Sequence, residues 1–564
     1  MRDTRVRTAR GTATSTAAVR GTSALTVRLL AAKAARVLAA TAVCMLAASA
    51  AAALAAPEAG AATRTVAGPA APSVVPLDVL AAPRRAPATA AGHTAQPAYS
   101  PPQGADFSDL SWLRAFDALH GKISREYAFT AWKGIDWELL YAEYMPHVLA
   151  AQDAGDLGAY YLALKQYAME LRDGHVSVGA VTAQAQGSVT ALTERRTAGG
   201  FGLVATRLDD GRLIAAWVGA GGPAARAGMK AGAELVAWGG EPAAAALAHA
   251  STALAPAMPT DWRRTHERSR FLVRAPVGAV RAVTFRNPGR TAPVQARLTA
   301  VDDGGETLRL TDARSVLSRG EWPERVVEHR LLGGRVGYVR VAFELDLPAE
   351  LPGDHTPTLT LFREAVDGFI AAGVRGIVLD IRGNAGGYDS MPPAFMASFY
   401  DRRSLYEYQS YIDPQTGLFH IWLSDDATGE FTAPGQGLWI EPGDRRFAGP
   451  VVALVDNGCI SSGEGIAMAV KRLPQGAVVG VSGTNGSFGI TGDWALLPGG
   501  LGVSWPYGRS LDVHKVVQID ARHGKGGVTP DVRVPLTARN ALSMYRGDDV
   551  VLEYGLRTLR AMMQ

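Results

Sequence analysis

The sequence predicts an α/β protein in three parts: a helical N-terminal subdomain, a β-rich middle domain, and a core built on a largely parallel sheet. Three observations lead there. Apolar residues recur at helical spacing between Asp106 and Arg172, short apolar runs broken by glycines begin at Gly200, and strands alternate with helices from Gly337 onward. At 564 residues the chain has room for three domains of roughly 100–200 residues each.

Taking the elements in order, residues 1–36 carry Arg2, Arg5, Arg7, Arg10, Arg20, Arg28, Lys33 and Arg36 against the single Asp3. The uncharged run Val37–Ala56 follows, ending in small residues. A positive segment, an apolar segment and small residues make an export signal over 1–56, which predicts a secreted or cell-envelope protein. An uncleaved signal is the one membrane contact the sequence offers. The formal charge of +4 and the pI near 9.0 belong largely to that signal. The rest of the chain has a small negative balance and no basic stripe, so nucleic acid is not an expected partner. Cys44 lies in the signal and Cys459 in the core, which leaves a mature chain no internal disulfide.

Residues 57–104, rich in Ala, Pro and Thr, read as a disordered linker. Within 105–195, Leu110, Leu113, Phe116 and Leu119 share one helical spacing, and Leu139, Leu140, Tyr144 and Val148 another. A third helix over about 157–172 is expected to stop at Asp173-Gly174-His175, with glycine as the terminator. In 196–300, the runs at Phe201–Val204 and Leu213–Ala216, the short helix Gly222–Met229 and the strand after Gly232 resemble a PDZ domain, although Ala233 stands where that family usually has Asp. A connecting segment (301–333) leads to the core at 334–540. The core has strands at Gly337–Val341, Ile377–Asp380, Val451–Val455 and Val478–Val481, with helices near Thr358–Ala372 and Glu464–Arg472. A C-terminal helix is expected over 541–564.

Ligands of an open α/β sheet sit beyond the carboxyl ends of its strands. Three polar, glycine-rich turns fall there: Arg382–Gly387, Asp456–Glu464 and Ser482–Gly489. With Asp173-Gly174-His175 upstream and Gly527-Val528-Thr529-Pro530-Asp531 downstream, they resemble the tail-specific (C-terminal processing) peptidase family, which includes the tricorn core protease. The resemblance spans about residues 105–540 and implies a crotonase-like or ClpP-like core and a serine peptidase acting on peptide or protein substrates.

A serine hydroxyl needs a base to become a nucleophile. The family's Ser-x-x-Glu spacing points to Ser461 as nucleophile, with Ser462 as competitor, and to Glu464, which also reads as a helix cap. The N–H of Ser462, with one from Gly386 or Gly387, would form the oxyanion hole. Many members use a lysine about 25 residues after the serine, where Ser487 stands here, so this chain departs from the Ser–Lys pattern. The tricorn-like branch takes its base from the turn matching Asp173-Gly174-His175, which makes His175 the expected base and Ser487 a relay or orienting group. That branch also has an acidic residue just before its C-terminal Pro-Asp phrase, whereas Ala521–Gly526 has no carboxylate and only His523 and Lys525 as second-choice bases. Neither zinc-ligand spacing nor a phosphate-cradling loop occurs, so no metal and no cofactor is expected. The competing reading is a catalytically inactive homologue carrying a small molecule or a peptide, as the retinoid-binding proteins of the eye resemble this family without being peptidases.

Overall fold

Near-continuous runs of β-branched residues bury themselves on both faces, and such runs build the centre of the molecule. In the computed structural model, which describes residues 101–311, 323–347, 353–426 and 430–564, six strands form one sheet. Their order is Val327–Leu332, Val336–Val341, Gly376–Asp380, Val451–Val455, Gly476–Gly480 and Val532–Arg533. The first pair is antiparallel and the remaining pairs are parallel. Successive side chains point to opposite faces. Ile377, Leu379, Val451, Ala453 and Val455 pack under helices Thr358–Ala371 and Ser462–Arg472, while Val378, Val452, Leu454 and Val479 pack under helix Val550–Met562.

The N-terminal helices are Trp112–Glu126, Trp137–Ala154, Leu157–Glu170 and Ala183–Thr197. Each begins at a side chain that accepts a backbone N–H: Ser111, Asp136, Asp156 and Thr182. Phe116, Leu119, Leu140, Tyr144 and Val148 are buried, but Leu110, which precedes the cap, and Leu139 are exposed. These helices pack on a long hairpin, Gly489–Leu497 with Leu501–Leu511, through Ala495, Leu497, Val503 and Trp505. Strand Ser177–Ala180 pairs with the same hairpin, Ser177 opposite Ser504.

The middle domain is an antiparallel sheet ordered Val294–Thr299, Val280–Arg286, Ala233–Trp238, Leu213–Val218 and Leu203–Arg207. Its edge strand Leu203–Arg207 packs against helix Asp261–Leu272. An Asp209–Arg533 ion pair fastens the domain to the core.

Two expectations change. The third helix ends at Glu170, and the left-handed residue after it is Arg172 (φ 48°), not Gly174. The C-terminal helix is two helices, Ala538–Tyr545 and Val550–Met562, parted at Gly547 (φ 99°), a conformation that suits glycine. The export signal and nearly all of the linker lie outside the described residues. Among the described residues no helix is long and apolar enough to cross a membrane.

Candidate active site

Strand Val451–Val455 delivers the chain into a turn whose last residue, Ser461, precedes helix Ser462–Arg472. Ser461 adopts φ 58° and ψ −135°, a conformation L-residues rarely take, at a cost of about 1–3 kcal/mol. Its hydroxyl does not cap the helix, its N–H donates to the Ser487 carbonyl (3.1 Å), and its own carbonyl accepts the N–H of Glu464 (2.8 Å). The main chain is therefore pinned on both sides while the half-buried hydroxyl stays out of the helix cap.

Beside it runs the glycine turn after strand Gly376–Asp380. A Cβ on Gly386 would lie 2.5 Å from the Ser461 Cβ and 3.2 Å from its Oγ, so only glycine fits (φ 81°). The turn is held by Asp456, whose Oδ1 accepts the N–H groups of Gly383 (2.8 Å) and Gly458 (2.9 Å). At its start, Arg382 binds Asp380 and Asp549 together, which ties it to the last helix. The N–H of Gly386 donates to Asn384 Oδ1 (2.9 Å). Among the described residues, those of Gly387 and Ser462 donate to nothing. Of the two glycines expected to receive negative charge, the geometry therefore favours Gly387. The Ser462 side chain is fully buried, and its hydroxyl donates to Glu344 Oε2 (2.9 Å).

The turn bearing His175 arrives from the helical subdomain. Asp173 Oδ1 accepts the N–H of His175 (2.9 Å), and its Oδ2 accepts from Tyr127 Oη (2.8 Å) and Lys133 Nζ (3.3 Å). Burial opposes ionisation of Asp173, but Lys133, His175 and Tyr127 outweigh it and hold its carboxyl below the usual range. The His175 ring is 4 % exposed, with Nδ1 4.0 Å from Asp173 Oδ1 and no hydrogen-bond partner. Burial lowers its pKa, Asp173 works against that, and Lys133 adds to it. The ring is thus neutral, and able to accept a proton, at neutral pH.

Ser487 joins the two turns. Its Oγ accepts the N–H of Gly174 (2.7 Å), its carbonyl accepts from Ser461, and its N–H donates to Glu464 Oε1 (2.8 Å). A Cβ on Gly174 would meet Ile460 Cδ1 at 2.7 Å, so the residue before His175 lies against the residue before Ser461. Glu464 is fully buried and accepts from Thr484 Oγ1 (2.5 Å), Gly486 N–H (2.7 Å) and Ser487 N–H. Burial raises its pKa to about 7 against those donors. Its contacts are those of a clasp between helix and turn.

Residues 335–534, which hold the Ser461 turn, the glycine turn and Ser487, match the sequence profile of Peptidase family S41. This stretch is an S41 serine peptidase domain. The chain also resembles solved structures of the same fold. Mature CPAF is 15% identical with a TM-score of 0.55, covering 80% of this chain and 96% of CPAF. CPAF complexed with lactacystin is 15% identical with a TM-score of 0.53, covering 80% and 98%. At such identity these two speak for the fold alone. The photosystem II D1 C-terminal processing protease overlays at 19% identity with a TM-score of only 0.35, covering 78% and 98%. No curated protein matches the chain by sequence.

Several groups around this candidate site are not marked by the sequence motifs. Asp520 pairs with Ser487 in an isolated antiparallel bridge, accepts from Trp132 Nε1 (2.7 Å) and forms an ion pair with Lys133 (3.3 Å). The resemblance implies an acidic residue just before the Pro-Asp phrase; Ala521–Gly526 has none, and Asp520 immediately precedes that stretch. Glu344, which accepts from Ser462 and Asn384 (2.7 Å), lies in no recognisable motif. Its pKa rises to about 7, chiefly through burial. His523 and Lys525 are exposed, and Cys459 is buried. The Pro-Asp phrase is structural: Asp531 Oδ2 accepts the N–H of Val478 (2.9 Å), and Val528 N–H donates to Thr484 Oγ1 (2.7 Å). Among the described residues no group of three His, Cys, Asp or Glu could hold a metal.

Proposed function

We propose that this S41 peptidase is exported and hydrolyses peptide bonds in extended or C-terminal segments of proteins, with Ser461 as nucleophile and His175 as general base. The observation that carries the reading is Ser487, whose three hydrogen bonds hold the nucleophile turn, the base turn and the Glu464 clasp together. Ser461 Oγ attacks the scissile carbonyl carbon as its proton passes to His175 Nε2. The developing oxyanion takes the N–H groups of Ser462 and Gly387, each such donor being worth about 100- to 1000-fold in rate. His175 then gives the proton to the departing amine, and a water molecule, deprotonated by the same ring, releases the acyl group from Ser461.

Residues 196–300 act in this reading as a PDZ-like domain. The outer strand Leu203–Arg207 beside helix Asp261–Leu272 is the geometry in which an extended peptide adds to a sheet edge. Export rests on the charged segment and the apolar run before Pro57. A fluorophosphonate probe tests the chemistry: wild type labels and Ser461→Ala does not. A wild type inert at every pH from 5 to 9 would leave the carrier reading in its place.

A further inference from the structure

The turn bearing His175 is organised by a buried cation that lies in none of the sequence motifs described above. Lys133, at the end of the short helix Thr130–Lys133, is 5 % exposed in its side chain. Its ammonium group donates to the carbonyls of Leu171 (3.3 Å) and Arg172 (3.0 Å) and to Asp173 Oδ2 (3.3 Å). On its other side it meets Asp520 Oδ1 at 3.3 Å. The rings of Tyr127 and Phe129 close over it at 5.7 and 5.2 Å. A buried ammonium with a carboxylate on either hand fixes the spacing between them, because losing either partner would strand a charge away from water.

One of those carboxylates belongs to the turn bearing His175, and the other to the segment that pairs with Ser487. We propose that Lys133 is a positioning residue for the catalytic base: by holding Asp173 and Asp520 together it seats His175 against the Ser487–Ser461 turn. The inference rests on the assignment of His175 as base. Lys133 touches neither substrate nor reacting atoms and acts through Asp173.

The charged groups that face His175 are Asp173 and Lys133, with Asp520 and Tyr127 behind them. A general base works when neutral, so the rate rises as pH passes its pKa. Lys133 lowers that pKa and Asp173 raises it. Removing the lysine charge therefore moves the rising limb to higher pH, and removing the aspartate charge moves it to lower pH.

The experiment is the fluorophosphonate inactivation rate of the full chain from pH 5 to 9, for wild type, Lys133→Met, Lys133→Arg and Asp173→Asn. For Lys133→Met the midpoint moves up and the plateau rate falls roughly 10- to 100-fold, the scale on which a misplacement near 1 Å acts. Lys133→Arg recovers most of the plateau, and Asp173→Asn shifts the midpoint down. A folded Lys133→Met enzyme with the wild-type midpoint and plateau overturns the proposal. Should Lys133→Met not fold, Asp173→Asn decides alone, an unchanged midpoint counting against it. A wild type that labels, with every variant labelling as it does, refutes only the role of Lys133, whereas a wild type that never labels refutes the base assignment and the proposal with it.

Discussion

The turn bearing Ser461 and the turn bearing His175 are built by opposite means. Around Ser461 the chain uses backbone geometry: a strained φ, a glycine that admits close approach, and local amide donors gathered on the neighbouring Glu464. Around His175 it uses charge at a distance, with Asp173, Lys133 and Asp520 meeting from three separate segments. The first design gives positional precision that tolerates no added atom. The second ties the protonation of one ring to the integrity of a buried ion network.

Gly386→Ala strikes the first design hardest. The new Cβ would stand 2.5 Å from that of Ser461 at a backbone angle that disfavours L-residues. We expect fluorophosphonate labelling to fall by about 100-fold or more, a displacement near 1 Å being enough for that. Labelling within a few-fold of wild type would show that the glycine turn does not gauge the position of the serine.

Glu464→Ala comes next. It strands the hydroxyl of Thr484 and the N–H groups of Gly486 and Ser487 in a buried site, at about 1–3 kcal/mol for each orphaned donor. Chemical denaturation should register a loss of several kcal/mol with labelling diminished in parallel. Lost labelling at wild-type stability would mean that Glu464 acts on the chemistry directly.

Tyr127→Phe is the mildest. It removes one hydrogen bond to Asp173 (2.8 Å) and leaves Lys133 in place, which costs about 1 kcal/mol. The labelling rate should drop only a few-fold. A loss as deep as that of Gly386→Ala would contradict the division between the two designs.

The same division decides what could be read from the sequence. Ser461, Glu464, Gly387 and Ser487 sit in short motifs at the ends of runs whose apolar texture marks buried parallel strands, and Val451–Val455 has the predicted ends. His175 was visible through the turn that follows its helix. Lys133, Tyr127 and Asp520 were not, because each is defined by side-chain partners 40 to 388 residues away and none lies in a periodic pattern. The hairpin strand Leu501–Leu511 was hidden for another reason. It contains Pro506, which ordinarily argues against a central strand, and its ladder accommodates this with register shifts on the partner strand at Thr491. Glycine's usual place at a helix end points to Gly174 as the terminator, but Arg172 takes the left-handed angle, and Gly174 is required instead by the closeness of Ile460 and Ser487.

The hydrogen bond from Gly174 to Ser487 spans 313 residues. Closing so long a loop carries an entropic cost that nothing local offsets, so this junction belongs to the late events of folding. A polypeptide still growing, or cut short anywhere before Ser487, holds the histidine turn and, once past Glu464, the serine turn, but never the Ser487 junction between them. On the proposed assignment of Ser461 and His175, hydrolytic competence is thereby deferred until the chain is nearly whole.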